Sequence, residues 1–245
     1  MSAGSREPTV VAPCSKEPAM SHLSRRTAGL AGLVTAPLWI GVTALVSSLE
    51  WDFLHSIGWS ATSSNEVPYP SATLRGDVGL LQSLNFVVTG VLVAVFALGF
   101  RREFRHRVSG WVATVAFALF SVGVVMNASP TDLPGEPTTW PGHVHDFGFL
   151  GVLLGVLVAY PASGLALRNN DSWRGWRLLG WWPALLVAIA FTNLGLPGDL
   201  GFMVFVGLVW AWVSLMGGHL ASVARTDGAP RSTTTLPDAA APGLL

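Results

Sequence analysis

Charged side chains are scarce in this 245-residue chain: Asp, Glu, Lys and Arg make up 11% of it, against about 25% in ordinary soluble domains. So few charges cannot cover a surface facing water on all sides. Lysine is nearly missing, because Lys16 is the only one and lies in the N-terminal tail. No retinal or pyridoxal Schiff base can therefore form within the apolar segments. Cys14 is equally alone, which excludes an intramolecular disulfide and a thiol pair on a metal. The chain also lacks a phosphate-cradling glycine loop, a Gly-x-Ser-x-Gly elbow and a His-Glu-x-x-His helix, so it has no signature of the corresponding nucleotide and hydrolase chemistries.

Long apolar runs are abundant. Six of them, at about 28–49, 80–100, 108–127, 147–167, 178–196 and 200–220, contain no Asp, Glu, Lys or Arg. A helix needs roughly 20 apolar residues to cross a hydrocarbon core of about 30 Å. The expected fold is an all-α membrane protein, a six-helix transmembrane bundle over 28–222. Residues 1–27 and 223–245 are rich in Pro, Ser, Thr, Gly and Ala and are expected to be disordered cytoplasmic tails.

The formal net charge is zero, but the basic residues are segregated. Arg6, Lys16, Arg25 and Arg26 precede the first run, and Arg101, Arg102, Arg105 and Arg107 follow the second. Arg168, Arg174 and Arg177 follow the fourth, Arg225 and Arg231 follow the sixth, and Arg75 alone occupies an alternate connection. Basic residues near helix ends stay in the cytoplasm, so both termini are expected inside. The opposite face carries Glu50, Asp52, Glu66, Asp77, Asp132, Glu136, Asp146 and Asp199. The run at 28–49 is expected to remain as an uncleaved first helix, since Pro37 follows the best small-residue site, Val34-Thr35-Ala36. Thirteen arginines against one lysine, with abundant Ala, Gly and Val, fit a GC-rich bacterial genome, hence the bacterial plasma membrane. The lipid bilayer is the expected partner, with anionic lipid at the Arg101–Arg107 cluster and no nucleic acid.

Eight of the eleven tryptophans fall at predicted membrane boundaries: Trp51, Trp59 and Trp140 outside, and Trp111, Trp173, Trp176, Trp181 and Trp182 inside. This is the distribution of an aromatic belt. Gly148, Gly151 and Gly155 in the fourth run have the spacing that lets helices approach closely, within the bundle first and between copies second.

The polar residues with chemical potential gather at the outer end. Gln82, Asn85 and Thr89 share one face of the second helix by their spacing of three and four, and Asn127 closes the third. Amides at membrane depth must find partners, so these should point into the bundle. A candidate outer-face cluster comprises His55, Asp77, Gln82, Asn85, Asp132, His143, His145 and Asp146. Imidazole and carboxylate groups such as His143, His145 and Asp132 are the ligands a zinc or other divalent ion takes, and such an ion would activate water. His143 and His145 face alike only on an extended segment; on a helix they point about 200° apart. Asp146 is equally suited to capping the N-terminus of the fourth helix, and the two imidazoles could form a pH-responsive pair. No organic cofactor is expected.

Gly58-Trp59-Ser60, Tyr69-Pro70-Ser71, Gly76, Gly79, Gln82 and Asn85-Phe86 resemble the first outer loop and second helix of the membrane proteins known as domain of unknown function 998. Pro130-Thr131-Asp132 followed by Gly142-His143-Val144-His145-Asp146 resembles that family's third-to-fourth connection. The resemblance spans about 28–222 and implies a bacterial six-helix integral membrane protein with no assigned activity. A structural, sensory or accessory role with a polar outer-face pocket is the expectation. The alternatives are a metal-dependent hydrolase of lipid or isoprenoid head groups and, behind it, a small-solute permease.

Overall fold

The computed structural model describes residues 24–60, 67, 69–182, 185 and 200–228. Six α-helices are found among them: α1 (Arg25–Leu49), α2 (Trp51–Ser56), α3 (Gly79–Phe100), α4 (Arg107–Met126), α5 (Trp140–Ala166) and α6 (Leu200–Gly228). All but the short α2 are long and apolar enough to cross a membrane. The expected run at 178–196 begins in a 3-10 turn at Arg177–Trp181; most of the rest of it, and most of both expected tails, lie outside the described residues.

The helix starts follow local chemistry. Ser24 caps α1, its hydroxyl accepting from the Thr27 amide at 3.0 Å, so the helix begins three residues before the expected boundary. The larger correction concerns α5, which starts at Trp140 instead of 147. Thr139 is its N-cap, accepting from the Gly142 amide, and Pro141 sits in the first turn, where a missing N–H costs nothing. The capping role envisaged for Asp146 thus belongs to Thr139. His143, His145 and Asp146 lie within the helix.

Packing proceeds from neighbour to neighbour: α6 against α1, α1 against α3, α3 against α4, and α4 against α5. The glycine spacing of α5 serves the last of these. A Cβ on Gly155 would lie 2.7 Å from the Phe120 backbone nitrogen, and one on Gly148 2.8 Å from the Gly123 carbonyl oxygen. Outward-facing positions are apolar, among them Leu80, Leu84, Val91 and Leu98 of α3, as lipid rather than water requires. Tyr160 stacks on Trp212 at 3.8 Å within a buried group that includes Phe96, Phe100 and Phe117.

One end of the bundle is arginine-rich and tightly tied. Buried Glu103 pairs with Arg25 at 2.9 Å and accepts from Trp173 Nε1 at 3.1 Å and Asn170 Nδ2 at 3.3 Å. Glu103 therefore clamps the start of α1 and the end of α3 to the segment after α5, rather than joining its arginine neighbours at the surface. Trp51, Trp111, Trp140 and Trp181 are exposed near helix ends, in keeping with a belt, whereas Trp59 and Trp173 are buried and belong to the core.

Candidate functional site

At the opposite end, the two long connections lock onto the helices. The Glu50 carboxylate, buried at the end of α1, accepts from the Val78 amide at the start of α3 at 2.5 Å. There is no room for a side chain at Gly76, whose Cβ would strike that carboxylate. Tyr69 stacks on Trp59 at 4.6 Å, and its hydroxyl lies 3.0 Å from Ser47 Oγ. Arg75 makes a two-pronged contact with Glu136, both bonds 3.1 Å. This pair accounts for the one basic residue on this face.

Gln82, Asn85 and Thr89 are buried together on α3. Asn85 Nδ2 donates to the Trp39 carbonyl at 3.2 Å and to Thr43 Oγ1 at 3.3 Å. Gln82 Nε2 donates to Thr43 Oγ1 at 3.2 Å, and Thr89 Oγ1 donates to Asn85 Oδ1 at 3.4 Å. Their hydrogen-bonding capacity is spent on α1 and on one another. They form a polar seam between two helices, where a polar pocket was expected.

The imidazoles and carboxylates are dispersed. His145 is buried, with Nδ1 2.8 Å from the Ser129 carbonyl oxygen and its ring edge-on to Phe86. His143 and Asp146, on the same helix, are exposed, as the 200° rotation over two helical residues demands. Asp132 accepts from the Thr139 amide at 2.8 Å and from its hydroxyl at 2.7 Å. The Thr139 amide and hydroxyl hold the Asp132 carboxyl below its ordinary value, helped by nearby Arg75 and His143. His55 folds back onto the Trp51 carbonyl at 2.8 Å, and Asp77 is exposed. Among the described residues, no three His, Cys, Asp or Glu side chains are placed to hold a metal ion. His143, His145 and Asp132 are therefore not brought together as the zinc reading required.

What the structure does bring together is apolar. Two adjoining cavities share Trp39, Pro70, Phe202 and Val206. The inner one, about 60 Å³, is bounded also by Phe86, Asn127, Phe205 and Trp210 among others. The other, about 220 Å³, reaches Ile40, Thr43, Tyr69 and Gly207. Together they approach the lower end of the roughly 300–1,000 Å³ typical of ligand pockets. Three buried polar atoms on the inner cavity's lining residues have no hydrogen-bond partner among the described residues: Trp39 Nε1, Trp210 Nε1 and Asn127 Oδ1. Sequence reading passed over both tryptophans because mid-span indoles look like core. The available signal was an N–H donor at membrane depth, which needs an acceptor there.

The family model described as Protein of unknown function (DUF998) matches residues 30–219. No curated protein and no solved structure matches the chain.

Proposed function

The chain belongs to the DUF998 family of proteins of unknown function, and from that premise we propose a multi-pass protein of the bacterial plasma membrane that binds an apolar ligand in the outer half of its bundle. In this reading it crosses six times, keeps both termini in the cytoplasm, and serves a sensory or accessory role without chemistry of its own.

Connectivity supports the sixth crossing. The end of α5 lies at the arginine-rich end, where Arg105 donates to the Ala166 carbonyl. The start of α6 lies at the other, where Phe202 contacts Phe149 and lines cavities with Pro70. Trp182 and Leu200 therefore stand towards opposite ends of the bundle, as a sixth crossing between them requires. Orientation follows from Arg25, Arg101, Arg105, Arg107, Arg168 and Arg177 sharing one end. A hollow bounded by Arg101, Arg105, Arg107 and Trp111 there suits an anionic lipid head group.

The observation that carries the ligand reading is the cavity pair, whose outer member lies between α1, α6 and Tyr69–Pro70. It is walled by aromatic and branched side chains and reaches exposed Ile40, so a molecule dissolved in the bilayer can enter sideways. Gly207 stands at its edge, where no described atom lies within 4 Å of a Cβ. The test is extraction of the protein in native lipid particles followed by mass spectrometry of co-purifying molecules, compared with Gly207→Trp. An apolar molecule retained near one equivalent and lost in the variant is the expected result. Only bulk lipid in both, with the variant melting like the natural protein, would remove the reading.

A further inference from the structure

We infer a further lipid site, apart from the hollow at Arg101–Arg107 and independent of the apolar cavities: a phosphate monoester carried on a hydrocarbon chain, held between Arg168 and Arg177. Two closely packed backbones build it. The 3-10 turn at Arg177–Trp181 lies directly on α5, since a Cβ on Gly164 would stand 2.9 Å from Gly180 Cα. That approach brings Arg177 Nη1 within 3.1 Å of the Arg168 carbonyl oxygen, to which it donates. Gly164, Leu165, Arg168, Arg177, Leu178 and Trp181 then bound a hollow of about 360 Å³, larger than either apolar cavity. Both arginines are exposed, so a group in the hollow can reach them.

The lining carries two positive charges and no acid. Glu103 and Asp171, acids of the same end, are already paired with Arg25 and Arg174. Among the described residues nothing partners the Arg168 guanidinium, and Arg177 directs one N–H to the Arg168 carbonyl. Each guanidinium presents a planar fork of N–H donors that takes phosphate oxygens in pairs. A phosphate monoester brings a charge of about −1.5 to −2 and three acceptor oxygens, the complement of two arginines. A carboxylate or a phosphodiester carries a single charge and leaves one fork unmatched. The remaining side chains of the hollow are apolar, and Leu165, Leu178 and Trp181 are each at least half exposed. Leu165 prolongs the exposed stripe of Leu154 and Val158 on α5, at spacings that share one helix face. A chain attached to the phosphate thus lies along the lipid-facing helix, which favours a membrane lipid over a soluble phosphate.

The experiment is native mass spectrometry of the full chain in detergent micelles, titrated with dioleoylphosphatidic acid, dioleoylphosphatidylglycerol and glycerol 3-phosphate. The first carries a monoester, the second a diester, and the third a monoester without chains. Phosphatidic acid is expected to bind about fivefold tighter than phosphatidylglycerol or better, and a large excess of glycerol 3-phosphate is expected to leave it in place. Arg168→Gln and Arg177→Gln should each weaken phosphatidic acid about 3- to 10-fold, the loss of one partly solvated charged contact, and abolish the preference between the lipids. Arg177→Lys keeps the charge without the fork and should also lose the preference. Arg168 bonds within the protein through its backbone alone, so Arg168→Gln keeps the fold even where a change at Arg177 shifts the turn. Arg174→Gln removes the same charge from the same segment outside the hollow and should leave the preference intact. Equal affinity for the two lipids, or equal loss of preference in Arg174→Gln and Arg168→Gln, would overturn the site. Displacement of phosphatidic acid by glycerol 3-phosphate would overturn the assignment to a lipid.

Discussion

Replacing Asn85 by Ala tests whether the seam between α1 and α3 is a load on the bundle or its fastening. The side chain makes two bonds to α1, to the Trp39 carbonyl and Thr43 Oγ1, and receives one from Thr89. Hydrogen bonds between membrane helices average about 0.6 kcal/mol, and those here are long, at 3.2–3.4 Å. Two interhelical bonds therefore account for about 1 kcal/mol. Leaving the buried Thr89 hydroxyl without its acceptor adds roughly 1 kcal/mol, while the Trp39 carbonyl, in mid-helix, keeps its partner within α1, for a total near 2 kcal/mol. Thr43→Val removes the acceptor shared with Gln82 and should cost about 1 kcal/mol. Because the two changes delete one common bond, the double variant should be less destabilised than the sum by about 0.5–1 kcal/mol. Reversible unfolding in mixed detergent micelles measures all four corners. Strict additivity within about 0.3 kcal/mol, or an Asn85→Ala cost under 0.5 kcal/mol, would refute the seam as described.

At the arginine-rich end, Glu103→Ala should destabilise by about 2 kcal/mol, since it leaves Trp173 Nε1 and Asn170 Nδ2 without their carboxylate acceptor. Arg25→Ala should cost more, because it takes a cation from the buried Glu103 carboxylate, whereas Arg25, about a third exposed, can be solvated when Glu103 is removed; melting curves of the two variants settle the order. Asp132 makes stability of the α4–α5 connection depend on pH. Its folded value is held down by Thr139, so the carboxylate's contribution is complete above about pH 4, its unfolded range, and is lost as pH falls through the lower folded value. Limited proteolysis between pH 3 and 6 should show the 128–139 connection opening only at the acid end. Asp132→Asn should open it at every pH; an unchanged acid profile in that variant would count against the assignment.

The apolar runs made five of the spans legible, because lipid demands length and leaves little choice of composition. The start of α5 was misjudged for a physical reason: His143 and Asp146 are polar, yet at a membrane boundary exposed polar side chains cost little. Thr139-Trp140-Pro141, an N-cap with Pro in the first turn, was the better guide. The common face of Gln82, Asn85 and Thr89 follows from spacing alone, but spacing is silent on Thr43, whose place opposite them depends on how α1 and α3 dock. Glu103 reads as part of a basic surface cluster until the fold brings Arg25, Asn170 and Trp173 to it. The cavity is the least legible feature. Trp39 and Trp210 lie far apart in sequence, and an empty space between helices leaves no mark in the order of residues.

The account depends most on which way the bundle sits in the membrane. With Cys14→Ser as background, single cysteines at exposed Thr138 and Gly175 report the two ends to a membrane-impermeant thiol reagent in intact cells. Labelling at position 138, with position 175 labelled only after lysis, is the predicted pattern. The reverse pattern, or equal labelling of both in intact cells, would contradict it.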